Sequence, residues 1–453
     1  MTMNTILKED VAQVLGIQIK TINSYCKDAV GNSITYDEYK SLVYKFGGKS
    51  AEVLYKLGKK IYEKIYFGKS KNYTLAVPLF ERAYELGNNE ALYQLSEIYV
   101  KGIGVERDTN LGVKYLNRGI ELGDAEICYL AGTYLLEGQY LKRNVETAVS
   151  CLDFAAKHRI LKAAKILGDL YYTGTLVAQS YKKALDYYLI ASELGDSDSI
   201  YNVGVIYCFG RGVAVDYAKA YQYYKKASDL GDVSATLNLG VLYKNGHYVA
   251  KNAREAFRLF SIAYEKGSVS AACGLAQLYY EGDGVEKNLR KAFDLYQMAD
   301  SHGNILGTTN LGVMYMNGEG TSRNFHKALQ LFQKAAKQND DNSYYHLGLL
   351  YEFGYGVRRN KQKAEKFYDV AASLGNKNAL FRARFIGEKT KSDNEIYKLG
   401  KDLIKDLIED QIKDAVSDMV SDAIDKIVDE DGSIIGDAIG DLVAELFVNS
   451  FSD

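Results

Sequence analysis

Proline is almost missing from this chain: one residue, Pro78, in 453. Proline is the residue that breaks helices, so little in the composition interrupts long helical stretches. Tryptophan is absent and tyrosine occurs 39 times, so aromatic packing falls mainly to tyrosine. No apolar run approaches the roughly 18 residues of a membrane-spanning helix. The opening "MTMNTILKEDVAQVLGIQ" has no basic segment followed by an apolar run, so no signal peptide is expected. The five cysteines, Cys26, Cys128, Cys151, Cys208 and Cys273, form no CxxC. Their odd number argues against a full disulfide framework and for a reducing, cytoplasmic compartment. His158, His247, His302, His326 and His346 lack the pairing that zinc or a catalytic dyad requires. No metal, cofactor or catalytic residue is therefore expected, and the chain reads as a non-enzyme.

Several stretches imitate chemistry without its spacing. "GGKS" at Gly47–Ser50 and "FGKS" at Phe67–Ser70 end like a phosphate loop but lack the earlier glycine. "DEDGSII" at Asp429–Ile435 resembles a calcium loop, yet Ile427 and Ala438 stand at its first and twelfth ligand positions. "GIGVERD", "GDGVEKN" and "GYGVRRN" read as helix–helix turns rather than anion cradles.

What is present is a period. Gly102, Gly138, Gly174, Gly210, Gly246, Gly282, Gly318 and Gly354 recur every 36 residues. An anchor series keeps the same step at Ser96, Gly132, Gly168, Gly204, Gly240, Ala276, Gly312 and Gly348. So does alanine, from Ala148 to Ala364. Each unit has two stretches of helical apolar spacing, separated by glycines and closed by one. It is therefore helix, turn, helix, and neighbouring pairs must stack to bury their faces. "TLNLGVLYKNG" and "HLGLLYEFGYGVRRNKQKAEKFYDVAASLG" carry a resemblance to the Sel-1-like (SLR) repeat, a relative of the tetratricopeptide (TPR) repeat. Nine units run from about Ala51 to Gly375, with the half-unit "NALFRARFIG" after them. The resemblance implies an all-α fold, an α/α superhelical solenoid with a concave groove, and an adaptor's work. Some relatives are disulfide-stapled by a cysteine pair per repeat, a pattern this chain lacks.

Aligned with the tetratricopeptide frame, groove positions lie six and three residues before the anchor and one and four after it. Three before stand Tyr93, Tyr129, Lys165, Tyr201 and Tyr345. Four after stand Tyr172, Lys244 and Tyr280. Glu52, Glu90 and Glu126 open the series six before. Tyr93, Tyr129, Tyr172, Tyr201, Tyr280 and Tyr345 are the candidate partner contacts, because tyrosine is amphipathic and loses little entropy on binding. The bland alternative is packing between units.

Two modules flank the array at 49–388. Residues 1–48 form a small helical module, in which "TILKEDVAQVLGIQIKTINSYCKD" resembles the helix-turn-helix of excisionase and MerR-type regulators. The expected helices are Lys8–Leu15 and Lys20–Cys26, with a third within Ile34–Phe46. As a reader of DNA the second helix would offer Lys20, Asn23, Ser24 and Lys27, but the segment is neutral where a DNA-binding domain is basic. Residues 395–453 form an acidic amphipathic tail, with Asp402, Asp406, Asp410, Asp414, Asp418 and Asp422 every fourth residue. Residues 396–453 hold 5 Lys against 15 Asp and Glu, a net −10, leaving +8 for the rest. Two helices are expected there, about 396–429 and 434–449, which either cap the solenoid or drive self-association. The sequence thus points to a protein or peptide partner held in the groove. A DNA-associated regulator with the repeats as sensor arm is the runner-up.

Overall fold

The computed structural model describes residues 6–26, 31–46, 50–63 and 73–387. Lys27, Phe67–Ser70, the calcium-like loop and the acidic tail lie outside them. Two compact units divide the chain, residues 1–223 and 224–453.

The first unit opens with β1 (Ile6–Leu7), α1 (Lys8–Leu15), α2 (Ile19–Tyr25), β2 (Ser33–Ile34) and α3 (Tyr36–Phe46). β1 and β2 pair antiparallel, Ile6 opposite Ile34. Helix pairs follow: α4 (Ala51–Glu63) with α5 (Tyr73–Glu85), α6 (Ala91–Lys101) with α7 (Thr109–Glu121), and α8 (Ala125–Glu137) with α9 (Val145–Lys157). Then come α10 (Leu161–Thr173) with α11 (Tyr181–Glu193), and α12 (Ser197–Phe209). The division falls inside α13 (Tyr217–Asp229). The second unit continues with α14 (Val233–Asn245) and α15 (Ala253–Glu265), then α16 (Val269–Glu281) and α17 (Leu289–Ser301). It closes with α18 (Ile305–Asn317) and α19 (Phe325–Ala336), α20 (Asp341–Phe353) and α21 (Lys361–Ser373), and α22 (Lys377–Gly387). Consecutive helices pack on one another from α4 to α12 in the first unit and from α14 to α22 in the second. The fold is an all-α helical-repeat solenoid.

The boundaries have local causes. Most starts carry a side-chain cap, another residue series with the repeat's step. Asp124, Asp196, Asp232, Ser268, Asn304 and Asp340 cap first helices. Asp108, Asn144, Ser180, Asn252, Asn288, Asn324 and Asn360 cap second helices. Each accepts the backbone N–H three residues on, satisfying a donor the helix leaves open. α10 breaks the series: Ile160 precedes it and provides no such bond. First helices from α6 to α20 end on the period's glycines in left-handed conformation, such as Gly282 at φ +76°. Arg159 and Asn339 stand where other units place a glycine and adopt the same positive φ, 67° and 60°. Pro78, the sole proline, falls inside α5 and is buried, not at a turn.

The core explains the anchor. A Cβ on Gly168 would lie 2.6 Å from the Tyr188 ring, on Gly240 2.5 Å from Phe260, and on Gly312 2.6 Å from Phe332. A small residue on the first helix therefore admits a large ring from the second. The next turn closes the stack: a Cβ on Gly284 would meet the Ala253 backbone at 2.5 Å, one unit back.

Candidate interaction surface

First helices of successive pairs lie in contact, α6 with α8, α14 with α16 and α18 with α20. Side chains three before and four after the anchor therefore meet the next pair. In the first unit Tyr62 donates to Glu97 at 3.0 Å, and Lys101 bonds Glu97 at 2.7 Å. Tyr93 and Tyr129 are half-buried beside this group. Burial, then Glu97 and Glu126, push the Tyr93 phenol up to about 12. Burial and Glu126 push Tyr129 the same way. Lys165 reaches Asp198 at 2.5 Å and Asp196 at 3.4 Å, and the Asp198 bond is the main reason its pKa rises. Tyr172 accepts from the Arg211 guanidinium, which also lies 5.3 Å over its ring. Tyr201 is half-buried on α12.

In the second unit Lys244 donates to Gln277 at 2.6 Å, and burial lowers its pKa. Tyr280 donates to Glu319 at 2.9 Å, and Thr309 to Asp340 at 2.9 Å. Tyr345 lies 5.8 Å from the Tyr368 ring, close to Arg382, which pairs with Glu352 at 2.8 Å. The six tyrosines thus differ. Tyr172, Tyr280 and Tyr345 are engaged with groups of neighbouring repeats. Tyr93 and Tyr129 flank carboxylates, with Glu90 and Glu126 exposed nearby in the same series.

The N-terminal helices leave Lys20, Asn23 and Ser24 exposed on α2, where Ser24 bonds back to the Thr21 carbonyl. α3 is engaged with the first repeat. Buried Tyr39 of α3 donates to the Leu75 carbonyl of α5 at 2.8 Å, and Lys40 pairs with Glu81 at 2.6 Å. Glu81 also accepts from Tyr99 at 2.5 Å. One apolar cluster runs from Ile6 to Tyr99, joining this module to the first pairs. A cleft of about 760 Å³ lies between Tyr36, Tyr99, the turn 104–108 and the start of α7 at Thr109 and Asn110. The Glu81 cluster carried no periodic signal: its members come from a module and two repeats, and only the fold unites them.

No group of three metal-ligating side chains gathers among the described residues. No described helix is long and apolar enough to cross a membrane. All five cysteines are free thiols, and burial pushes Cys128 and Cys273 up to about 11.

The family model for the Sel1 repeat matches nine successive segments: residues 51–88, 89–124, 125–158, 161–196, 197–232, 233–268, 269–304, 306–340 and 342–376. The chain belongs to the Sel1-repeat family. The nine Sel1 units coincide with the helix pairs from α4 to α21. Among solved structures, the chain is similar to a Sel1 repeat protein from Oxalobacter formigenes at 24% identity, with a TM-score of 0.56. That likeness covers 68% of this chain and 90% of the other, and it shows the fold. It is also similar to c5321, a protective antigen of uropathogenic Escherichia coli strains with an SLR fold (22% identity, TM-score 0.37, 82% of this chain and 94% of that one). A third is Helicobacter pylori cysteine rich protein B (31% identity, TM-score 0.22, 27% of this chain and 93% of that one). No curated protein matches. Sel1 repeats are generally protein-interaction scaffolds.

Proposed function

We propose that this Sel1-repeat protein is a non-catalytic adaptor that holds a protein or peptide segment along its first helices. The observation that carries the reading is the patch of Tyr93 and Tyr129 beside Glu97 and Glu126. Half-buried tyrosines present an apolar ring edge and a hydroxyl, both ordered before a partner arrives. Exposed Glu90 and Glu126 suit a basic side chain on that partner. Tyr172, Tyr280 and Tyr345 serve mainly to couple consecutive repeats.

The test uses a partner captured from the native host. Tyr93→Ala with Tyr129→Ala should weaken its binding about tenfold or more, in the manner of aromatic interface anchors. Melting should stay that of the parent. Undiminished binding, or binding lost together with the fold, shows that these tyrosines only pack. The DNA reading rests on Lys20, Asn23, Ser24 and Lys27 and has its own check, a gel shift on random duplex DNA; the adaptor reading expects no shift.

A further inference from the structure

α22 follows the ninth pair at the place where a further pair would open. It begins at Lys377, one full period after α20 begins at Asp341. Asn376 caps it through the Ala379 N–H at 2.9 Å, as Asp340 caps α20. One position departs from its equivalents. Leu380 is 46% exposed, whereas its equivalents Leu92, Cys128, Ala164, Ile200 and Ala272 are all buried at 3% or below. In the ninth pair the equivalent residue, Tyr344, packs against Phe367 of the second helix, ring centres 6.4 Å apart.

The sequence continues in register. From α8 onward each second helix starts 20 residues after its first helix. The same step from Lys377 reaches Tyr397. "YKLGKDLIKDLIE", residues 397–409, aligns with α21 one period earlier. Gly400 then stands at the Ala364 position, Leu403 at Phe367, Ile404 at Tyr368 and Leu407 at Ala371. The anchor departs from the rule: Arg384 stands in place of glycine, and Ile404, smaller than the usual ring, takes the ring's position in the alignment.

Charge points the same way. Residues 354–387 carry eight Lys and Arg against Glu365 and Asp369, a net +6, most of the +8 outside the tail. Arg358, Arg359, Lys361, Lys363, Lys366 and Lys377 are exposed there. Residues 396–453 carry a net −10. Opposite charge concentrated at adjoining stretches of one chain favours their union.

We infer that residues 397–409 of the same chain form the second helix of a degenerate tenth repeat, laid over α22 with Leu403 against Leu380. The acidic remainder of the tail then lies by the basic last repeats. The four-residue aspartate ladder begins inside this helix, at Asp402 and Asp406, on the flanks of the Leu403–Ile404–Leu407 stripe.

Cysteine pairing in the full chain tests the register. Leu380→Cys with Leu403→Cys should form an intramolecular disulfide on mild oxidation. Leu380→Cys with Lys405→Cys, about 200° around the helix from 403, should not. Either single variant controls for the five native thiols. A second arm, Leu403→Asp with Leu407→Asp in the full chain, should raise amide exchange in α22 about tenfold or more and leave α16 unchanged. Equal cross-linking at 403 and 405, or disulfides only between chains, overturns the inference, the latter in favour of a second copy as occupant. Unchanged exchange in α22 overturns it too.

Discussion

At the scale of single residues, the repeat is a size rule between two helices. A glycine twenty residues before a ring lets that ring lie against the helix backbone: Gly168 with Tyr188, Gly240 with Phe260, Gly348 with Tyr368. Gly240→Leu should cost about 3 kcal/mol, because even its Cβ would overlap Phe260. Urea denaturation reads this directly, and an unchanged midpoint would refute the packing role. His346 offers a test in pH. It stacks on Phe332 at 4.8 Å with its Nδ1 buried, and burial lowers its pKa from 6.5 to about 4. Below pH 6.5 the unfolded chain takes up a proton there that the folded chain refuses. Stability from this group is therefore whole above pH 6.5 and lost progressively toward pH 4, by up to about 3 kcal/mol. His346→Leu should flatten that part of the stability profile relative to the parent. Parallel profiles would show that His346 titrates normally.

At the scale of elements, helices are delimited by caps and left-handed ends, and joined by a few directed polar contacts. The N-terminal module shows how such a contact fixes one element on another. α3 meets α5 through the buried Tyr39 hydroxyl, with Lys40–Glu81 and Tyr44–Glu85 further along both helices. Tyr39→Phe removes one buried hydrogen bond, at a cost of about 1 kcal/mol. Hydrogen exchange should rise in α3 and α5 and stay as it was in α16 to α20, since a repeat stack transmits instability mainly to neighbours. Acceleration spread evenly over the chain would mean that the module and the array unfold as one.

At the scale of the molecule, the array is built from one contact pattern, made again with each period. Each helix pair needs the next to cover it, so the ends carry the exceptional chemistry. At one end a non-repeat module supplies Tyr39, Lys40 and Tyr44 to the first Sel1 unit. At the other, Leu380 is exposed where its equivalents are buried, the stretch 354–387 carries a net positive charge, and an acidic stretch follows it in sequence. Along the repeats, tyrosines and charges recur in series, with composition changing from one repeat to the next. Under the adaptor proposal, that variation on a constant frame is what would let the scaffold select a partner.

Much of this was legible without coordinates. A solenoid writes its packing into the sequence, because the same steric demand recurs in every unit. Gly240 must be small for the reason that Gly168 must be, and the period of 36 follows. The caps are equally legible at Asn252, Asn288, Asn324 and Asn360, a polar series that keeps the same step beneath the louder signals of glycine and apolar spacing. What the repeat cannot encode is the occupant of a position whose neighbour sits 30 to 40 residues away and differs in each unit. Tyr172 and Tyr129 look alike in sequence as groove residues. Arg211 ties up the first, while Glu126 stands by the second. The period set the backbone, since backbone packing repeats, and only the tertiary structure assigned the side chains, since their partners do not.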